Sequence, residues 1–276
     1  QVYEESFTAP DAEILLVDDN EMNLAVVVNL LKKTQIKIVT CMSGKEALES
    51  MKKQSFDIIL LDHMMPEMDG IETLNAAKEM EGNLCGKTPV IALTANAMAG
   101  VRDMYIREGF DDYLSKPIEG KALEEMLRKY IPVEKQKSVS NIQKETQVKP
   151  EASEKQIVSE DGYLNVMVGM QYCGNSEEIY LEMLEMFCQA KEEKKTVLQE
   201  CLEEEKFDQY VIHVHALKST SLSLGGKQLS ALAAKLEKAG KGGEYNIIKE
   251  EHNELMKLYD LTTQAMREYL QNYNVQ

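Results

Sequence analysis

Between Asp11 and Tyr130 the chain alternates short, almost unbroken apolar runs with stretches of helical periodicity. Ile14-Leu15-Leu16-Val17 is the first such run, and a helical pattern follows from Glu21 to Lys33. Ile36 to Cys41, Phe56 to Leu61, Pro89 to Leu93 and Tyr113-Leu114 are the further strand candidates. Helical patterns separate them: one opened by Ser43, with Glu46 at capping-box spacing, and others near 71–80, 98–108 and 119–129. A strand that is apolar on both faces must be covered on both faces. The alternation therefore predicts an α/β domain, a doubly wound five-stranded parallel sheet with helices on either side. In such a sheet the functional groups collect at the carboxyl ends of the strands.

From Pro132 to about Ile157 no apolar period survives, and Lys, Gln, Ser, Glu and Pro dominate; this composition predicts a flexible linker. Beyond Ser159 there are no strand signals. Helical candidates run near 161–172, 177–203, 207–224, 227–239 and 244–272. Leu229, Leu232, Ala233, Leu236 and Ala239 mark one apolar helical face, and Gly225-Gly226 with the glycines at 240–243 punctuate the ends. Four main helices joined by short turns predict an all-α four-helix bundle. The expected division is 11–131 for the sheet domain, 132–158 for the linker and 159–276 for the bundle.

A net charge of −16 argues against nucleic acid or an anionic membrane as a direct partner, since both require a cationic surface. The five cysteines are odd in number, widely spaced and free of any Cys-x-x-Cys, which supports neither a disulfide framework nor a zinc site. No apolar run approaches the roughly 20 residues of a membrane span. The chain opens at Gln1 rather than Met, which suggests a segment of a longer protein.

Asp18 and Asp19 end the first predicted strand, and Asp62 ends the third. In a doubly wound sheet those strands are neighbours, so three carboxylates converge. A hard divalent cation resolves their repulsion, and oxygen ligands with room for water and phosphate favour Mg²⁺. A carboxylate beside Mg²⁺ can attack phosphorus and become an acyl phosphate. Thr94, ending the fourth strand, offers a hydroxyl, and Lys116, after the fifth, offers a cation toward phosphoryl oxygens.

These residues lie in Leu16-Val17-Asp18-Asp19-Asn20, Asp62-His63-Met64-Met65-Pro66-Glu67-Met68-Asp69-Gly70, Leu93-Thr94-Ala95 and Tyr113-Leu114-Ser115-Lys116-Pro117. The segment resembles the receiver domains of two-component response regulators, of flavodoxin-like fold, over about residues 11–131. The resemblance implies that Asp62 accepts a phosphoryl group from a phosphohistidine. It implies that Asp18, Asp19 and Asp62 hold Mg²⁺, with the Met64 carbonyl as a further ligand. Lys116 would pair with the phosphoaspartate, and Thr94 with Tyr113 would form the switch that reports it.

In the second half, His215 opens His-Ala-Leu-Lys-Ser within a helical stretch. Val214, Leu217, Ser221 and Leu224 fall on one helical face, assigned to the bundle interior; His215, Lys218, Ser219 and Leu222 fall on another. That pattern predicts an exposed imidazole beside a cation, Lys218, able to attract phosphoryl oxygens. His213 lies about 200° around the helix from His215, so the two cannot chelate one metal. The stretch, with its following Leu-Gly-Gly, resembles a histidine phosphotransfer domain, with Ser219 at the motif's glycine.

Rival readings are weaker. Gly82 to Thr88 resembles a phosphate-binding loop but is one residue short and leads into a strand rather than a helix. A dehalogenase-like phosphatase would want an acid two residues after its nucleophile, where Asn20 and Met64 stand. A phosphorylation-independent scaffold leaves both acceptor sets unused. The two halves together resemble the carboxyl-terminal end of a hybrid sensor histidine kinase, without a kinase catalytic domain. The resemblance implies a cytoplasmic phosphorelay module whose partners are an upstream histidine kinase domain and a downstream response regulator receiver. Draining phosphate in reverse would use the same residues.

Overall fold

The computed structural model describes residues 7–94, 101–138 and 162–274. Strands β1 (Phe7–Thr8), β2 (Glu13–Val17), β3 (Lys37–Cys41), β4 (Ile58–Asp62), β5 (Val90–Thr94), β6 (Asp112–Ser115) and β7 (Lys137–Ser138) alternate with helices α1 (Glu21–Leu30), α2 (Gly44–Lys53), α3 (Gly70–Glu79), α4 (Val101–Glu108) and α5 (Gly120–Tyr130). Five strands form one parallel sheet in the order β3-β2-β4-β5-β6, the doubly wound arrangement that the apolar runs predict. Every residue of β4 and of β5 is buried, as strands covered on both faces must be.

Ser43 caps α2 by accepting from Glu46 N, but Glu46 returns its bond to Met42 N rather than to Ser43. The full reciprocal box occurs instead at α3, where Asp69 and Glu72 satisfy each other's backbone amides.

Residues 132–138, assigned from composition to the linker, carry a 3₁₀ turn at Val133–Lys135 and then β7. β7 pairs antiparallel with β1, Phe7 opposite Ser138 and Thr8 opposite Lys137. The buried Phe7 ring lies under the Arg128 guanidinium, and Lys135 closes the same end by bonding Asp57 at 2.7 and 2.8 Å. This ribbon sits at the amino-terminal ends of the sheet strands, away from their carboxyl ends. The remainder of the expected linker, 139–158, lies outside the described residues.

The elements of the second half, among the described residues, are all helices: α6 (Val166–Tyr172), α7 (Glu177–Glu203), α8 (Phe207–Ser223), α9 (Lys227–Lys241) and α10 (Tyr245–Asn274). Val214, Leu217, Ser221 and Leu224 of the assigned interior face are buried, and Leu229, Ala233 and Leu236 of α9 meet them there. His252 joins that interior, holding the Tyr210 hydroxyl at 3.0 Å and Gln199 Oε1 at 2.8 Å. Helix α1 of the sheet domain packs on α7, so the core on that side of the sheet runs on into the bundle. Among the described residues no helix is long and apolar enough to cross a membrane.

Candidate functional site

Parallel register sets the acidic pole. Val17 of β2 pairs with Leu61 of β4, so Asp18 and Asp62 leave the sheet side by side. Asp18 Oδ2 accepts from Lys116 Nζ at 2.6 Å, and Asp18 Oδ1 accepts from Asn20 N and Asn23 Nδ2, both at 3.0 Å. Lys116 Nζ also lies 2.8 Å from Asp62 Oδ2. The lysine is delivered by β6, with its own amide bonded to Thr94 O at 2.6 Å and its peptide to Pro117 cis. Gly70 lets α3 start directly against the end of β4: a Cβ there would stand 2.3 Å from the Asp62 carbonyl oxygen.

Asp18, Asp19 and Asp62 place carboxylate oxygens within 4.8 Å of one another. At that separation each like-charged pair repels by about 3.5 kcal/mol at an effective dielectric of ~20, and with all three ionised the one lysine beside them leaves the group net negative. Asp18 and Asp62 are buried and Asp19 is half-buried. Burial, reinforced by Asp18, raises the Asp19 pKa to about 6 against the pull of Lys116 and Lys194. Burial likewise pushes Asp62 above the usual carboxylate range, with Lys116 opposing. Burial works against the charge of Lys116 too, but Asp18 and Asp62 outweigh it and hold the ammonium firmly protonated. Asp62 Oδ1 is buried with no hydrogen-bond partner. An all-oxygen set with surplus negative charge and an unpaired buried oxygen fits a hard divalent cation.

Thr94 is buried at the end of β5, and its side chain engages the Tyr105 hydroxyl. Tyr105, on α4 and buried, lies flat along Tyr113 (centroids 6.4 Å apart) and meets His63 edge-on at 5.4 Å. The expected Thr94–Tyr113 pair is thus bridged by a third residue, Tyr105, which lies outside the motifs.

In the bundle, His215 does not stand exposed as its helical face predicts; it is 6 % exposed. Two neighbours cover it. Glu237 of α9 faces it with Oε1 2.8 Å from His215 Nδ1, and the Lys116–Pro117 loop of the sheet domain comes against Ser219, one helical turn further on. Ser219 and Ser223 of α8 line one small cleft together with Asn23, Val27, Lys116 and Pro117. Ser219 is therefore small where the Lys116–Pro117 loop comes against the helix.

Lys218 Nζ lies 2.5 Å from Glu237 Oε2, and Lys241 Nζ 2.6 Å from Glu237 Oε1 and 3.2 Å from Met64 Sδ across the domain boundary. Burial lowers the His215 pKa, with Glu237 opposing, so the ring is neutral near pH 7. Burial would raise Glu237, but His215, Lys218 and Lys241 hold it far below the usual carboxylate range. His215 Nε2 is buried without a partner. His213 sits apart from His215, half-buried beside a second cleft with Asp19, Met42 and Lys194.

Glu237, Lys241, Tyr105 and Asn23 are thus site residues that motif reading misses. For Glu237 a signal does exist: Ser230, Ala234, Glu237 and Lys241 recur at helical spacing as a stripe of small and charged residues flanking the apolar face.

Residues 14–128 match the family described as response regulator receiver domain, and residues 182–272 match the Hpt domain. The signal transduction histidine-protein kinase BarA of Escherichia coli K12 is 31 % identical over 257 residues, covering 92 % of this chain and 26 % of BarA. Hybrid signal transduction histidine kinase I of Dictyostelium discoideum is 38 % identical over 143 residues, 49 % of this chain and 8 % of that protein. The chain thus spans about a quarter of BarA and less of the other. Among solved structures, the magnesium-bound receiver domain of sensor histidine kinase PA1611 from Pseudomonas aeruginosa PAO1 is 34 % identical, covering 43 % of this chain and 96 % of that one, with a TM-score of 0.39.

Proposed function

The chain joins a response regulator receiver domain to an Hpt domain as a two-component phosphorelay module, in which we propose that Asp62 accepts the phosphoryl group from a phosphohistidine and exchanges it with His215. One observation carries this assignment. Asp62 Oδ1 and His215 Nε2 are among only four buried side-chain polar atoms without a hydrogen-bond partner among the described residues. Leaving such an atom unpaired costs about 1–3 kcal/mol, and a group that bonds to phosphorus gives that cost a function. The receiver occupies residues 11–131 and the phosphotransfer domain 159–276 in this reading.

Asp18, Asp19, Asp62 and the Met64 carbonyl would hold Mg²⁺, which when bound supplies positive charge to the phosphoryl and carboxylate oxygens. Lys116 stays within reach of Asp62 Oδ2 and balances charge as the carboxylate becomes an acyl phosphate. The Thr94 hydroxyl is the donor for a phosphoryl oxygen. Drawing it there loosens its tie to Tyr105, and the stacked Tyr105–Tyr113 pair carries the change outward. In transfer, the Nε2 lone pair of His215 forms the N–P bond as the P–O bond to Asp62 breaks, and that electron pair returns to the carboxylate. An upstream histidine kinase domain and a downstream receiver are the partners proposed, and reverse flow runs through the same atoms.

The test is peptide mass spectrometry after incubation with acetyl phosphate and Mg²⁺. Phosphate is expected on Asp62 and then on His215. Asp62→Asn should abolish uptake, and His215→Gln should retain uptake but end onward transfer. Acid-stable phosphate on the Asp62→Asn chain would remove Asp62 from the role.

A further inference from the structure

Glu237 takes no part in the motifs, yet it is 6 % exposed and its carboxylate is shared by three cationic or N–H groups: His215 Nδ1 at 2.8 Å, Lys218 at 2.5 Å and Lys241 at 2.6 Å. A carboxylate held ionised by two lysines can only accept hydrogen bonds, so the proton of the neutral His215 ring must sit on Nδ1. Nε2 is then the lone-pair nitrogen, and it is the ring atom left buried and unpartnered. The same oxygen, Glu237 Oε1, accepts from Lys241, whose ammonium also reaches Met64 of the receiver, two residues past Asp62. We propose that Glu237 is the positioning residue of the phosphotransfer histidine, and that Lys241 ties that carboxylate to the receiver's acceptor loop, so that ring tautomer and domain docking are set together. The inference rests on His215 being the transfer residue.

The chemistry follows from the charge balance. When Nε2 attacks phosphorus, the N–P bond forms, the Asp62 O–P bond breaks with its electron pair returning to the carboxylate, and the Nδ1 proton stays on the ring. The imidazole therefore becomes cationic as the phosphoryl group arrives. An anion 2.8 Å from Nδ1 stabilises that cation. The two lysines keep the same anion from repelling the incoming phosphoryl oxygens. Without Glu237 the neutral ring distributes its proton over both nitrogens, and the cation forms against burial and the charges of Lys218 and Lys116.

The experiment uses the full chain with acetyl phosphate and Mg²⁺, comparing wild type, Glu237→Gln and Lys241→Met, each checked for an unchanged circular dichroism spectrum. Long-range ¹H–¹⁵N NMR reads the His215 tautomer before phosphorylation, and single-turnover quenching reads transfer from phospho-Asp62. Wild type is expected to show the Nδ1–H tautomer and phosphate on Nε2. Glu237→Gln should mix the tautomers and slow transfer on the order of tenfold or more, as loss of an orienting carboxylate behind a histidine does elsewhere. Lys241→Met should slow transfer while leaving the tautomer intact. Glu237→Gln with wild-type tautomer and transfer within twofold of wild type overturns the positioning role and leaves the relay standing. Lys241→Met with unchanged transfer overturns the tie to the receiver. Wild-type His215 that never gains phosphate from a phosphorylated Asp62 overturns the relay reading and this role with it.

Discussion

Asp19 stands half-buried beside the two buried aspartates, and its response to pH follows from that position. Its pKa is raised from 3.8 to about 6, so the folded chain holds this proton more tightly than the unfolded chain does. Its contribution to stability is full below about pH 4 and is lost as pH climbs through about 6. A divalent cation competes for the same oxygen. The rise in melting temperature on adding Mg²⁺ should accordingly be larger at pH 7.5 than at pH 5.5; equal rises would remove Asp19 from the ligand set. That Asp18, Asp62, Thr94 and Lys116 gather at one pole was legible because parallel strands place their carboxyl ends together whatever the side-chain packing. Glu237 and Tyr105 were not, since their roles depend on which helix faces meet. Glu237 finds His215 only through the packing of α9 on α8, and Tyr105 reaches Thr94 only once α4 lies beside β6.

At the scale of elements, α8 is buried on more than one side while carrying four hydroxyl residues in a row of five. Ser219, Thr220, Ser221 and Ser223 each return a bond to a carbonyl four residues back, which satisfies the hydroxyls locally and keeps the helix slim. Ser219→Gly would widen the approach of the Lys116–Pro117 loop at a cost of about 0.5 kcal/mol in helix propensity. Urea denaturation should show that small loss, with transfer from Asp62 no slower than wild type. Gly225, just past α8, is held at φ +89°, and a Cβ there would fall 2.1 Å from Asn165 O. Gly225→Ala should therefore lower unfolding stability by more than about 1 kcal/mol, the cost of the left-handed backbone alone. Helix α7 was legible to its ends, 177–203, because Ser176 caps it and its apolar positions repeat over seven turns. The β1–β7 ribbon was not, for two-residue strands have no period and their pairing spans the whole receiver.

Over the whole molecule, the receiver and the bundle meet along α1 and α7, and the acidic pole faces the helix that carries His215. Val26, buried in α1, lines the cleft shared with Ser219 and Ser223. Val26→Arg should part the two units: small-angle scattering would show a larger radius of gyration, and transfer to His215 would slow while staying independent of protein concentration, because the chain still tethers the two. An unchanged radius with transfer at the wild-type rate would mean that this face does not hold them together. The ribbon bears on a different matter. Because Thr8 sits opposite Lys137, the polypeptide enters and leaves the receiver at one spot, a strand length (roughly 17 Å) from the acidic pole. Residues 9–136 are in effect a loop hung from a two-stranded stem. Such a loop can be excised or grafted without redirecting the chain on either side of it, so a lineage could gain or lose its phosphoacceptor in a single recombination.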